Sequence, residues 1–228
     1  MFLSMSGVIG KTKSEVAASL SNYANSVGGG LQKENLPVND DKCCIIEEAN
    51  GNTTIFYPYA YLEWDSSSEF ISKDLVAPVF SFHIHDGDLW MYILFVNGTL
   101  VDQFNPVPDY WDDNLSEEEL ESWKGEPAII NTYVKNIKTT DIEKYLVRWD
   151  LETEEIIKAY PSDEYPQEDW QLLDFMKKLG LPYPLDGNGN PKDETYKLWT
   201  KDIRSTPASN IAKPPQVINP PKAWWKFW

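Results

Sequence analysis

The chain has 228 residues, is 42% hydrophobic and 14% aromatic, and carries a net charge of −16. That is ample material for a packed core, so wholesale disorder is excluded. No apolar run approaches the roughly 20 residues a membrane span needs, and an acidic surface repels phosphate backbones, so neither membrane insertion nor direct nucleic-acid binding is expected.

In chain order, Gly7–Gly10 reads as a short edge strand, and Thr12-x-x-Glu15 has the form of a capping box. Val16, Leu20, Tyr23, Ala24 and Val27 follow at helical spacing, with Gly28 as the stop. Cys43–Ala49 and Asn52–Tyr57 read as a hairpin closed by Asn50-Gly51. Ser66–Ser68 opens a short helix through Phe70 and Ile71. Val79–Tyr110 then reads as a three-stranded meander, because Asp86-Gly87 and Asn97-Gly98 fit the positive backbone angles of two-residue hairpin turns. The expected fold is α+β: an antiparallel sheet in the order β-α-β-β-α-β-β-β with a ferredoxin-like core and helices on one face, followed by a mostly helical C-terminal half.

From Trp111 the pattern turns helical. Ser116-x-x-Glu119 is a second capping box, Pro127 suits a first helical turn, and Thr140-x-x-Glu143 opens another helix. A further helix runs from about Gln167 to Leu179 and ends at Gly180. These helices either form a subdomain or cover the sheet. Residues 203–228 differ: they hold Pro207, Pro214, Pro215, Pro220 and Pro221 and end in Trp224-Trp225-Lys226-Phe227-Trp228. The prolines favour an extended arm, which docks on its own domain or on a second subunit. The expected divisions are therefore 1–110, 111–202 and 203–228. The arm holds four basic residues and no acid, so the other 202 residues carry −20, the chain's −16 less the arm's +4.

Adjacent Cys43 and Cys44 point to opposite faces of a strand and are poorly placed to bridge each other. With a short, uncharged Met1–Met5 opening, they suit a cytoplasmic chain with reduced thiols. Gly10-Lys11-Thr12 lacks the earlier glycine of a phosphate loop, and the Asp186–Asn190 run has Pro191 where a calcium loop needs glycine.

Pairing the meander through its two-residue turns places Phe80, Phe82, Ile84, Leu89, Met91, Ile93 and Phe95 on one face. His83, His85, Asp88, Trp90 and Tyr92 share the other with Gln103 and Asn105, and His83 lies across from Trp90. Both histidines of the chain lie here, with Asp86 and Asp88 beside them. A third metal ligand is not identifiable, so no metal or cofactor is expected. Asp102 falls opposite Ile93 on the apolar face, where a carboxylate needs a partner or a raised pKa.

The block His85-Asp86-Gly87-Asp88-Leu89-Trp90, with Val101–Pro106 and Pro108-Asp109-Tyr110, resembles a block in uncharacterised bacterial proteins. Small acidic bacterial proteins of similar build include immunity and antitoxin partners, an analogy of type that transfers no residue roles. The function expected is a non-enzymatic cytosolic protein-binding protein that captures a basic protein on its acidic surface. Its candidate binding residues are His83, His85, Asp88, Trp90, Tyr92, Gln103, Asn105, Tyr110 and Trp111. The alternative is a hydrolase using His83, His85, Asp86 and Asp88.

Overall fold

The computed structural model describes residues 2–59, 61–87, 89–112, 114–152 and 157–201. In chain order these form β1 (Leu3–Val8), α1 (Lys13–Ser26), β2 (Gly30–Lys33), β3 (Cys43–Ala49), β4 (Asn52–Phe56), α2 (Trp64–Leu75), β5 (Pro78–His85), β6 (Leu89–Val96) and β7 (Thr99–Phe104). The remainder is α3 (Glu117–Glu121), α4 (Pro127–Tyr133), α5 (Thr139–Ile142), α6 (Gln171–Lys178) and β8 (Thr195–Trp199). All eight strands join one sheet, in the order β2-β8-β3-β4-β1-β5-β6-β7, with every neighbouring pair antiparallel. The chain is thus α+β. No helix among the described residues is long and apolar enough to cross a membrane.

Local chemistry accounts for the helix ends. Thr12 Oγ1 accepts from Glu15 N while Glu15 Oε2 accepts from Thr12 N, a reciprocal cap that satisfies two orphan donors of α1. Ser116 and Glu119 do the same for α3. Gly28 and Gly180, at φ of +76° and +72°, turn the chain out of α1 and α6 in a left-handed conformation that costs glycine little. The α5 cap lies earlier than the Thr140 motif suggests: Asp141 Oδ2 accepts from Lys138 N, and the helix begins at Thr139.

Strand alternation splits the core in two. Val8, Ile46, Ile55, Val79 and Leu198 face α1 and α2, meeting Val16, Leu20 and Ile71. Met5, Ile45, Phe80, Phe82 and Ile84 face the other way, against Ile130 of α4, Ile142 of α5 and Leu172, Phe175 and Met176 of α6. Helices therefore cover both faces rather than one, and the helices beyond Trp111 are a layer of the sheet. Cys43 and Cys44 fall into opposite cores, as their adjacency on a strand requires. The C-terminal half also supplies β8, which inserts between β2 and β3 and makes that half less purely helical than its sequence suggests.

The β5–β6 register differs from the two-residue-turn reading. His85 pairs with Leu89, Ile84 with Trp90 and His83 with Met91, so the connection spans three residues. The slip turns every β6 side chain to the opposite face from the one expected. Trp90, Tyr92 and Leu94 join Phe80 and Phe82 in the α6-side core, whereas Leu89, Met91, Ile93 and Phe95 lie on the His83 side. A second shift lies between β6 and β7: Leu94 pairs with Asp102 but Phe95 with Leu100, leaving Val101 as the extra residue of a bulge. The two shifts cancel at Asp102. It faces Leu94 rather than Ile93, yet it still lies on the Phe80 side and is buried.

Candidate functional site

β1 and β5 run antiparallel with Ser4 opposite His83 and Leu3 opposite Ile84. Residues that pair directly share a face, so Ser4 Oγ and His83 Nδ1 hydrogen-bond at 2.9 Å. Trp64, the first residue of α2, lies flat on the His83 ring, with centroids 4.7 Å apart and planes 4° from parallel. Burial lowers the His83 pKa to about 3, with the neighbouring His85 imidazole acting in the same direction. The ring is therefore neutral at pH 7.

His85, two residues on, points the same way, and the imidazole centroids are 6.0 Å apart. It meets Trp111 edge to face at 4.7 Å and Phe2 at 4.9 Å. Tyr110 packs on Trp111 at 4.8 Å, and Phe2 reaches Tyr59 at 6.5 Å. Tyr59, Phe2, His85, Trp111 and Tyr110 thus form one unbroken run of ring contacts. Its ends are open to solvent, with Tyr59 65% and Tyr110 43% exposed, and Leu62 close by in sequence is 67% exposed. Acidic side chains at Asp86 and Asp109 lie exposed beside the run in sequence.

Behind this strip lies a buried chain of hydroxyls. Tyr57 Oη and Ser6 Oγ lie 2.6 Å apart, Ser6 and Ser68 2.7 Å, and Ser68 and Ser81 2.9 Å, and Ser81 donates to Asp65 Oδ1 at 2.9 Å. These serines sit where β1, β5 and α2 meet, and small polar side chains let the helix approach the sheet closely. The network fixes α2, and through it Trp64, over His83.

The structure brings together four of the residues singled out from sequence: His83, His85, Tyr110 and Trp111. Trp90 and Tyr92 lie elsewhere. The register slip buries both completely in the opposite core, so they are not surface anchors. Gln103 shares the His83 side but donates to Ser122 Oγ at 3.1 Å. Asn105 is buried, its Oδ1 accepting from Val107 N at 2.9 Å and its own N–H donating to Trp123 O. Asp88 lies outside the described residues, as does the arm beyond Lys201. Sequence reasoning missed Phe2, Ser4, Tyr59 and Trp64. Serine at alternate positions of Leu3–Val8, and again at Ser66–Ser68, was the available signal for a polar seam, though not for its partners.

Among the described residues, no group of three or more His, Cys, Asp or Glu side chains is placed to hold a metal ion. The α1 N-terminus is occupied from within, since Lys13 N donates to Glu48 Oε2 at 2.6 Å. Comparison with protein-family models, curated proteins and solved structures gives no match, so function is read from these residues alone.

Proposed function

We propose that this chain is a non-enzymatic cytosolic protein-binding protein that seats a basic partner on the Tyr59–Phe2–His85–Trp111–Tyr110 strip, in the manner of an immunity or antitoxin protein. The observation that carries this reading is the strip itself: contiguous aromatics, rigidly backed by Trp64 and the serine seam, with solvent-open ends. Large aromatic side chains held in place lose little entropy on binding and are the usual anchors of interfaces. The net charge of −16 adds long-range attraction for a basic partner and sets the approach rate more than the final affinity. The β5-β1-β4-β3 strand order, with α1 and α2 on one face, supports a ferredoxin-like core extended by β6 and β7 on one side and by β8 and β2 on the other.

The test is affinity capture from a lysate of the source cell with the full-length chain and with a Tyr59→Ser/Tyr110→Ser variant. A basic polypeptide retained by the wild type, weakened roughly tenfold in the variant and released at about 0.5 M salt, supports the reading. Equal retention by both chains, or binding indifferent to salt, rejects it.

The hydrolase alternative gains one observation, the Ser4–His83 hydrogen bond at 2.9 Å. It ranks second because Trp64 covers the His83 ring face and Trp111 and Phe2 pack edge-on against His85. Ester or amide turnover by the purified chain, abolished in Ser4→Ala, would reverse that order.

A further inference from the structure

The C-terminal half contains a groove of about 600 Å³ that the aromatic strip does not use. Its apolar lining comes from Tyr165, Trp170, Leu173, Leu181, Tyr183 and Leu185. Trp170 and Tyr183 meet edge to face with centroids 6.2 Å apart, and Tyr165 tilts against Trp170 at 6.5 Å. Tyr183 Oη is buried and has no hydrogen-bond partner among the described residues. Burial pushes its pKa upward, so it remains a neutral O–H donor without an acceptor. Spaced aromatic walls with a free donor match the needs of an extended proline-rich strand. Such a strand offers unsatisfied carbonyls and apolar ridges, and its proline residues present no N–H.

We propose that this groove is the seat of the chain's own residues 203–228, docked in cis. That segment supplies five prolines and, near its end, Trp224, Trp225, Phe227 and Trp228. Its four basic residues face a body of net charge −20. The groove lining adds Glu164, Asp174 and Asp186 against Lys177 and Lys192, and Lys177 is itself paired with Glu164 at 3.6 Å. Reach is not limiting. The described chain stops at Lys201, whose N–H meets Val27 O, at the far end of β8 from the groove. Running back along β8 takes about 20 Å, whereas 26 residues of polyproline II span about 80 Å. About seven residues suffice for the return, which leaves 209–228, with Pro214, Pro215, Pro220 and Pro221, for the groove.

The test uses full-length protein throughout. Limited trypsinolysis reads cleavage after Lys222, inside the segment assigned to the groove, with Arg204 on the return stretch as the accessible reference and Lys213 blocked by the following proline. Leu173→Arg fills the groove from a partly exposed position, and is expected to raise cleavage roughly tenfold over wild type. A second variant, Trp224→Ser/Trp225→Ser, leaves the body untouched and so separates loss of docking from loss of fold. It is expected to raise amide exchange across 170–185 while β5 and β6 stay protected. Unchanged cleavage in the first variant together with unchanged exchange in the second overturns the proposal. So does protection that rises with protein concentration alongside a dimer mass, which assigns the groove to the arm of a second copy. Protection lost in Tyr110→Ser rather than in Leu173→Arg places the arm on the aromatic strip and also overturns it.

Discussion

Tyr92 donates its phenol to Asp102 Oδ2 at 2.6 Å, and the bond exists because of the Val101 bulge. Without that extra residue Asp102 would point away from Tyr92, toward the Ile93 side. Glu126 N adds a donor at 3.1 Å to Oδ1. Even so, burial outweighs these hydrogen bonds and raises the Asp102 pKa to about 6. The pair is thus a buried acid inside the aromatic core formed with Phe104 and Phe175, held by partners that sequence separation alone does not reveal.

The folded Asp102 pKa exceeds its unfolded value, so its stability contribution is fully present below about pH 4 and is lost as pH rises through 6. The difference of about two units corresponds to roughly 2–3 kcal/mol. Asp102→Asn keeps an acceptor for Tyr92 and removes the titration. Urea unfolding of both chains between about pH 4 and pH 8 is expected to show the variant gaining roughly 2 kcal/mol on wild type across that range. A constant difference between them would show that Asp102 does not titrate in this window.

His83 acts with the opposite sign. Its folded pKa of about 3 lies below the unfolded value, so it contributes stability above about 6.5 that is lost as pH falls. Between pH 7 and pH 5 the loss is roughly 2 kcal/mol. His83→Gln is expected to flatten that acid limb. Imidazole proton resonances give the direct check, with His83 staying neutral to about pH 4. A His83 midpoint near 6 would mean that Trp64 does not shield the ring from water.

Strands β3 to β7 and the capped helices were legible because alternation, turn and capping chemistry act locally, whereas the edge strand read at Gly7–Gly10 is the end of Leu3–Val8, an interior strand between β4 and β5, and β2 carried no such signal. The meander register was not. A two-residue turn and a three-residue loop both use a glycine at positive φ, here Gly87 at +83° after Asp86 at +46°. Leu89–Val96 is apolar at nearly every position, so both of its faces suit burial and alternation does not choose between them. For that reason His83 and His85 were recognised as one cluster while Trp90 and Tyr92 were assigned to the wrong side. β8 was hidden for a different reason. Thr195–Trp199 is short and only partly apolar, and it becomes a strand through pairing with residues of β2 and β3 that lie 150 to 169 positions earlier.

The serine triplet separates structural from incidental hydroxyls. Ser68 bridges Ser6 and Ser81 in the buried seam, whereas Ser66 on the same turn is exposed. Ser68→Ala leaves two buried hydroxyls short of a partner and is expected to cost about 1–3 kcal/mol. Ser66→Ala is expected to stay within about 0.5 kcal/mol. The measurement is the urea midpoint of each, and equal shifts would dissolve the claim that the seam anchors α2.

Gly29 tests the insertion of β8. A Cβ at this position would lie 1.8 Å from Trp199 O and 2.6 Å from Thr200 Cα, and both are backbone atoms that cannot rotate away. Gly29 N is also fixed, donating to Ala24 O at 2.7 Å, and Gly30 pairs with Trp199 in the next ladder position. Relief requires β2 and β8 to separate. Gly29→Ala is therefore expected to destabilise by about 3 kcal/mol and to speed amide exchange in Thr195–Trp199 ahead of β5 and β6. Gly187→Ala, where a Cβ meets nothing within 4 Å, serves as the control. If both variants melt alike and β8 exchanges no faster, the Gly29–Trp199 approach is not what holds the C-terminal half in the sheet.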